Sequence, residues 1–204
     1  MASVLSTGCV YKDTSYIGVI KQYLELLNGI ASIKIENLVC YNIENDLSRT
    51  RTLEEVEKEQ CFSNVTQINC KLIENEWLFA VRFYEEKGYQ GVLFDVSSDY
   101  VFETCSLDQM ENKLINILIA IHPSCPYYFG FIDTEAEVDM FNNPTNINPV
   151  VSPYATLVLP HNENFHVYLN SWKIDGITSR EKKEYVVSKT SATVDELLNP
   201  VFTE

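Results

Sequence analysis

Apolar residues recur at three-and-four spacing in two stretches of the chain and alternate with polar ones in several others. Ile17, Ile20, Tyr23, Leu24 and Leu27 mark one face of a helix over roughly 14–28, with Asp13 or Thr14 at its start and Gly29 at its stop. Leu107, Met110, Leu114, Ile117, Leu118 and Ile121 mark a second helix. The capping box Ser106-Leu107-Asp108-Gln109 opens it and Pro123 closes it. Before that helix, Ile33, Ile35 and residues 38–41 read as strand material, and residues 52–60 as a short exposed helix. Ile68, Cys70 and Leu72, then 77–84, then 89–96 predict three successive strands. Glu74-Asn75-Glu76 and Glu85-Glu86-Lys87-Gly88 supply their turns, and connections this short imply an antiparallel meander.

After the second helix come a strand at 127–132, an acidic segment at 133–139 and an Asn- and Pro-rich loop near 142–153. A strand pair at 154–159 and 165–172, a strand at 185–188 and a terminal helix opened by Thr193-Val194-Asp195-Glu196 complete the order. Regular βαβ alternation is absent, which argues against a doubly wound parallel sheet. The expected fold is α+β, a mixed and mainly antiparallel sheet with helices packed on one face. At 204 residues, 1–204 is read as a single globular domain.

Charge narrows the function. Against 15 Lys and Arg stand 29 Asp and Glu, a formal charge of -14. That field repels nucleic-acid phosphates and anionic lipid and attracts basic proteins. The expected partner is therefore a basic protein, with no nucleic acid and no membrane. No stretch approaches the roughly 20 apolar residues of a bilayer span, since the greasiest run, 114–121, is short and contains Asn116. The opening MASVLSTGCVYKD lacks a basic leader followed by an apolar core, so a cytoplasmic location is expected. Cysteines 9, 40, 61, 70, 105 and 125 are scattered without a CxxC pair and read as reduced thiols.

Candidate chemistry is sparse. His122-Pro123-Ser124-Cys125, with His161 and His166, would have to make a zinc site without the tight paired spacing such sites use. His122 is more simply explained by the dipole at a helix C-terminus. Cys125 beside His122 is the least poor candidate for a thiol nucleophile, and an inert packed thiol is the favoured reading. GxSxG, GxxxxGK[ST] and GxGxxG motifs are absent, and no cofactor is expected.

The acidic segment is the strongest feature. If extended, Asp133, Glu135, Glu137 and Asp139 project from one strand face and would hold Mg²⁺ or grip Arg and Lys. If helical, Thr134 and Glu137 form a capping box and the acids complement the helix N-terminus. In both readings Glu135, Glu137 and Asp139 are the candidate partner-binding residues. Glu54, Glu55, Glu57 and Glu59 form a second acidic face.

In size, acidity, aromatic richness and lack of catalytic signatures the chain is similar to bacterial immunity proteins that neutralise a cognate toxin. The likeness is compositional and assigns no residues. It implies a non-catalytic acidic protein that occludes a basic toxin. The alternatives are an enzyme whose site is assembled from scattered Cys and His or from carboxylates and a metal, and a subunit of a larger assembly.

Overall fold

The computed structural model describes residues 4–74, 77–86, 88–97, 105–134, 147, 149, 152, 154–172 and 180–198. The first half runs β1 (Val4–Lys12), α1 (Tyr16–Asn28), β2 (Ile33–Asn42), β3 (Leu47–Arg51), α2 (Leu53–Glu59), a 3₁₀ turn (Phe62–Asn64), β4 (Val65–Leu72), β5 (Leu78–Glu86) and β6 (Tyr89–Ser97). The second half runs α3 (Leu107–Ile121), β7 (Phe129–Thr134), β8 (Thr156–His161), β9 (Asn164–Leu169), β10 (Lys183–Ser188) and α4 (Val194–Leu198). The ten strands form one sheet in the order β10-β9-β8-β7-β1-β6-β5-β4-β2-β3. Every neighbouring pair is antiparallel. This is the α+β architecture the sequence predicts, including the meander β4-β5-β6.

The first strand is where the sequence reading falls short. Residues 4–12 carry no clean alternation, and no strand is expected there. Yet β1 is central, paired with β6 on one side and β7 on the other. The physical reason is burial on both faces. Leu5, Cys9 and Tyr11 enter the main core, while Val10 enters a second cluster with Leu93, Phe129, Phe131, Tyr154 and Leu157 on the opposite face. A strand covered on both sides loses its polar alternation. Gly8 fits the same crowding: a Cβ there would lie 2.5 Å from the Phe131 ring and 2.8 Å from Leu93.

Two crossovers place the helices. β1 and β2 run in the same direction and are joined by α1, and β6 and β7 run in the same direction and are joined by α3. The second connection starts from a strand of opposite direction and steps the opposite way along the sheet. Two right-handed crossovers of that kind emerge on the same face. Val19, Ile20, Tyr23, Leu24 and Leu27 of α1 and Met110, Leu114, Ile115, Leu118, Ile119 and Ile121 of α3 accordingly share one core. The cap of α1 is Ser15, whose Oγ accepts the Gly18 N–H at 3.1 Å, rather than Asp13 or Thr14. Ile17 is 40% exposed, and Val19 takes its expected place in the core. The capping boxes at Ser106 and Gln109 and at Thr52 and Glu55 both form.

The edge strand β3 is also unforeseen. Only Arg51 of its five residues is even partly covered, so neither hydrophobic period is present to read.

Candidate interaction surface

The outer end of the sheet is built from β2, β3 and α2. β2 and β3 form a hairpin closed between Asn42 and Leu47. Asp46 takes the left-handed conformation that lets the chain reverse, at φ 52°. Two side chains fasten the turn: Asn42 Oδ1 accepts the Glu44 N–H at 2.8 Å, and Tyr41 Oη donates to Asp46 Oδ1 at 2.5 Å. The Asp46 carboxylate holds the Tyr41 phenol above its usual pKa. On this braced tip Ile43 is 84% exposed and Leu47 49% exposed.

Carboxylates surround the tip and continue onto α2. Glu44 follows Ile43 in the turn, Asp46 stands two residues further on, and Glu54 and Glu57 stand exposed on α2. The acidic face expected at 54–59 is divided by structure. Glu55 Oε2 accepts the Thr52 N–H at 2.8 Å, closing the capping box and drawing its pKa down. Glu59 pairs with Arg51, which ties the end of α2 to β3. Val56 alone is fully buried and seats the helix on the core. Glu54 and Glu57 are thus the acids of this helix that face outward with no structural role among the described residues.

The other predicted sites fare differently. Glu135, Glu137 and Asp139 lie outside the described residues, as does most of the 142–153 loop. Asp133 is not a surface carboxylate: it is buried at the end of β7, and its Oδ1 accepts the Thr134 N–H at 2.8 Å. Cys125 is fully buried, and burial pushes its thiol up to about 12, so it stays protonated at neutral pH. His122 packs edge-on against Tyr127 and Phe165, and burial holds its pKa below the usual histidine value. Ring packing and burial, rather than the helix dipole, set its surroundings. All six cysteines are free thiols. His161 and His166 stack edge-to-face at 5.5 Å, and His166 Nδ1 lies 3.5 Å from Glu184. Among the described residues no group of three or more His, Cys, Asp or Glu is arranged to hold a metal. No described helix is long and apolar enough to cross a membrane.

A cavity of about 90 Å³ opens between α1, α3 and α4. Leu26, Ile30, Trp77, Phe79, Ile117 and Leu198 are among its walls, and neither histidine nor cysteine lines it. Its lining is mainly apolar, with Thr7, Asp95 and Lys113 also at its walls. One buried polar cluster was invisible in the sequence. Arg180 pairs with Glu111 of α3, donates to the carbonyls of Ala155 (2.7 Å) and Asn170, and stacks over Trp172 at 5.0 Å. Thr156 donates to the other oxygen of Glu111. Every charge in this clasp is answered from within, so it fastens α3 to β8 and β9.

The fold defines a small α+β protein built on one ten-stranded antiparallel sheet. The family model of immunity protein 64 matches residues 19–180, and the chain belongs to that family. It is an immunity-type protein. No curated protein matches the chain. Among solved structures, a T6SS protein of Pseudomonas aeruginosa is similar at 11% identity and a TM-score of 0.34, covering 65% of this chain. The chain spans only 41% of that protein's length.

Proposed function

We propose that the chain neutralises a toxin by binding it, and that the β2–β3 tip with the outward acids of α2 makes part of the contact. Membership of the immunity protein 64 family carries this reading. The exposed Ile43 and Leu47 among carboxylates support the location. Interfaces gather their energy in a few apolar anchors, and surrounding charges govern encounter and register. A tip already fixed by two hydrogen bonds loses little conformational freedom on docking. A net charge of -14 suits a basic toxin domain, and the cytoplasm is the proposed place of action. Glu135, Glu137 and Asp139 belong to the same proposal as further steering acids.

The test pairs the chain with the toxin encoded beside it. Co-expression should rescue growth, and the two proteins should co-purify. Replacing Glu135, Glu137 and Asp139 together by Gln or Asn should slow association and flatten its salt dependence, with dissociation little changed. Growth rescue without a complex would overturn the binding reading. Association that is unchanged in rate and salt response would remove those three acids from it.

A further inference from the structure

Protein interiors are close-packed, with few voids larger than a water molecule. The cavity between α1, α3 and α4 departs from that rule, at about 90 Å³, which is the share of roughly three waters. Leu26 and Leu27 of α1 and Leu114 and Ile117 of α3 line it from the helices. Trp77 and Phe79, their rings stacked at 5.7 Å, line it from the sheet. The polar residues at its walls are committed elsewhere. The Thr7 hydroxyl donates to the Phe131 carbonyl at 3.1 Å. Asp95 accepts from the Ser6 hydroxyl at 2.8 Å and pairs with Arg82, and Lys113 is not free either. A buried water needs about two to four polar partners. These groups already have theirs, so the space suits apolar contents. Val194 and Leu198 bring α4 to one wall. Its five residues are too few for a helix to hold itself in water. A cap between Thr193 and Glu196 supports it. Asp195 latches it, its Oδ1 accepting the Ser32 N–H at 3.2 Å and the Ser32 hydroxyl at 2.5 Å.

We propose that this cavity is a binding site for a small uncharged apolar molecule, of the class of a short hydrocarbon, and that α4 is its gate. Three or so carbon atoms fill the volume and restore to the walls the contacts that the void forfeits. A charged molecule of the same size would leave its hydration behind and find no replacement at these walls. Entry needs one wall to move. α4 is the wall with the least to break, since it opens by releasing the Asp195–Ser32 latch and withdrawing Val194 and Leu198. A bound molecule gives those two side chains more to pack against, so occupancy holds the gate shut. No residue of the β2–β3 tip lines the cavity, and the site stands independently of the proposed toxin contact.

The test needs no toxin. Propane is dissolved under pressure with the full chain, labelled at its methyl carbons, and binding is followed by NMR. Saturable shifts should appear at Leu26, Leu27, Leu114, Ile117 and Leu198. The Kd should lie in the millimolar range, the best that roughly three heavy atoms reach. Acetate, of about the same size but charged, should shift none of these methyls. Amide exchange in α4 should slow about twofold when free propane equals its Kd, because the open gate cannot hold the ligand. Ser32→Ala, which removes the hydroxyl bond of the latch and keeps the N–H bond, should quicken that exchange several-fold. Shifts that never saturate, or that fall on other methyls, overturn the site. An acetate response equal to that of propane overturns its apolar class. Saturable binding with α4 exchange unchanged overturns the gate.

Discussion

At the centre of the sheet, β1 is sealed on both faces, and Gly8 stands where any side chain would strike Phe131. At the β2–β3 end the hairpin is sealed on neither face of its tip, and Ile43 stands in water. Each central residue is explained by packing against its neighbours. The outer residues are explained locally only as far as the bracing of the turn by Tyr41, Asn42 and Asp46. The aliphatic side chains the tip displays stay out of the core, and under the proposed function they anchor the partner.

The contrast breaks first if the centre tolerates damage. Arg180→Ala leaves the Glu111 carboxylate buried without its counter-ion and should cost about 3–5 kcal/mol. Leu118→Ala, beneath the sheet on α3, should cost about 2–5 kcal/mol. Urea melts of both variants measure this, and midpoints close to wild type would mean that neither the Arg180 clasp nor the α3 face carries the stability assigned to it.

Alkali gives a graded effect. Burial raises Cys70 and Cys125 to about 12, and Tyr16 likewise to about 12. In the unfolded chain the thiols ionise near 9 and the phenol near 10, while the folded protein keeps all three protonated. Their contribution is complete below the unfolded values and is lost as pH climbs toward the folded ones. Stability should therefore fall steadily above about pH 9, well before the backbone is at risk. A flat urea midpoint between pH 8 and 11 would contradict the burial of these groups.

Acid should act at the other end of the molecule, and least. The Thr52 N–H holds the Glu55 carboxyl below its ordinary value. That contribution is present above the unfolded carboxyl value and fades as pH falls through the folded one. Amide exchange at the start of α2 should quicken there before exchange in β1 does.

How much of this was legible depended on which side of each residue meets water. α3 announced itself because its two sides differ, and so did α1 apart from its cap and Ile17. The meander announced itself through Ile68, Cys70 and Leu72 and through its turns. β1 stayed silent because both of its sides are buried, and β3 because both are exposed. The Arg180 clasp joins residues 69 positions apart and so leaves no local pattern. Ile43 carried the one faint signal at the tip, a lone aliphatic between Asn42 and Glu44, which alone is ordinary surface composition.

The central claim is that the outer tip contacts the toxin without supporting the fold. Its most direct measurement is the affinity of Ile43→Ala, combined with Leu47→Ala, for the cognate toxin, set beside the thermal melt of the same protein. Truncation of exposed side chains should move stability by no more than about 0.5 kcal/mol. Loss of an interface anchor should weaken binding roughly thirtyfold or more, on the order of 2 kcal/mol. An unchanged melt with binding weakened to that extent is the predicted result. Full wild-type affinity in the double variant would contradict the claim and move the contact elsewhere on the molecule.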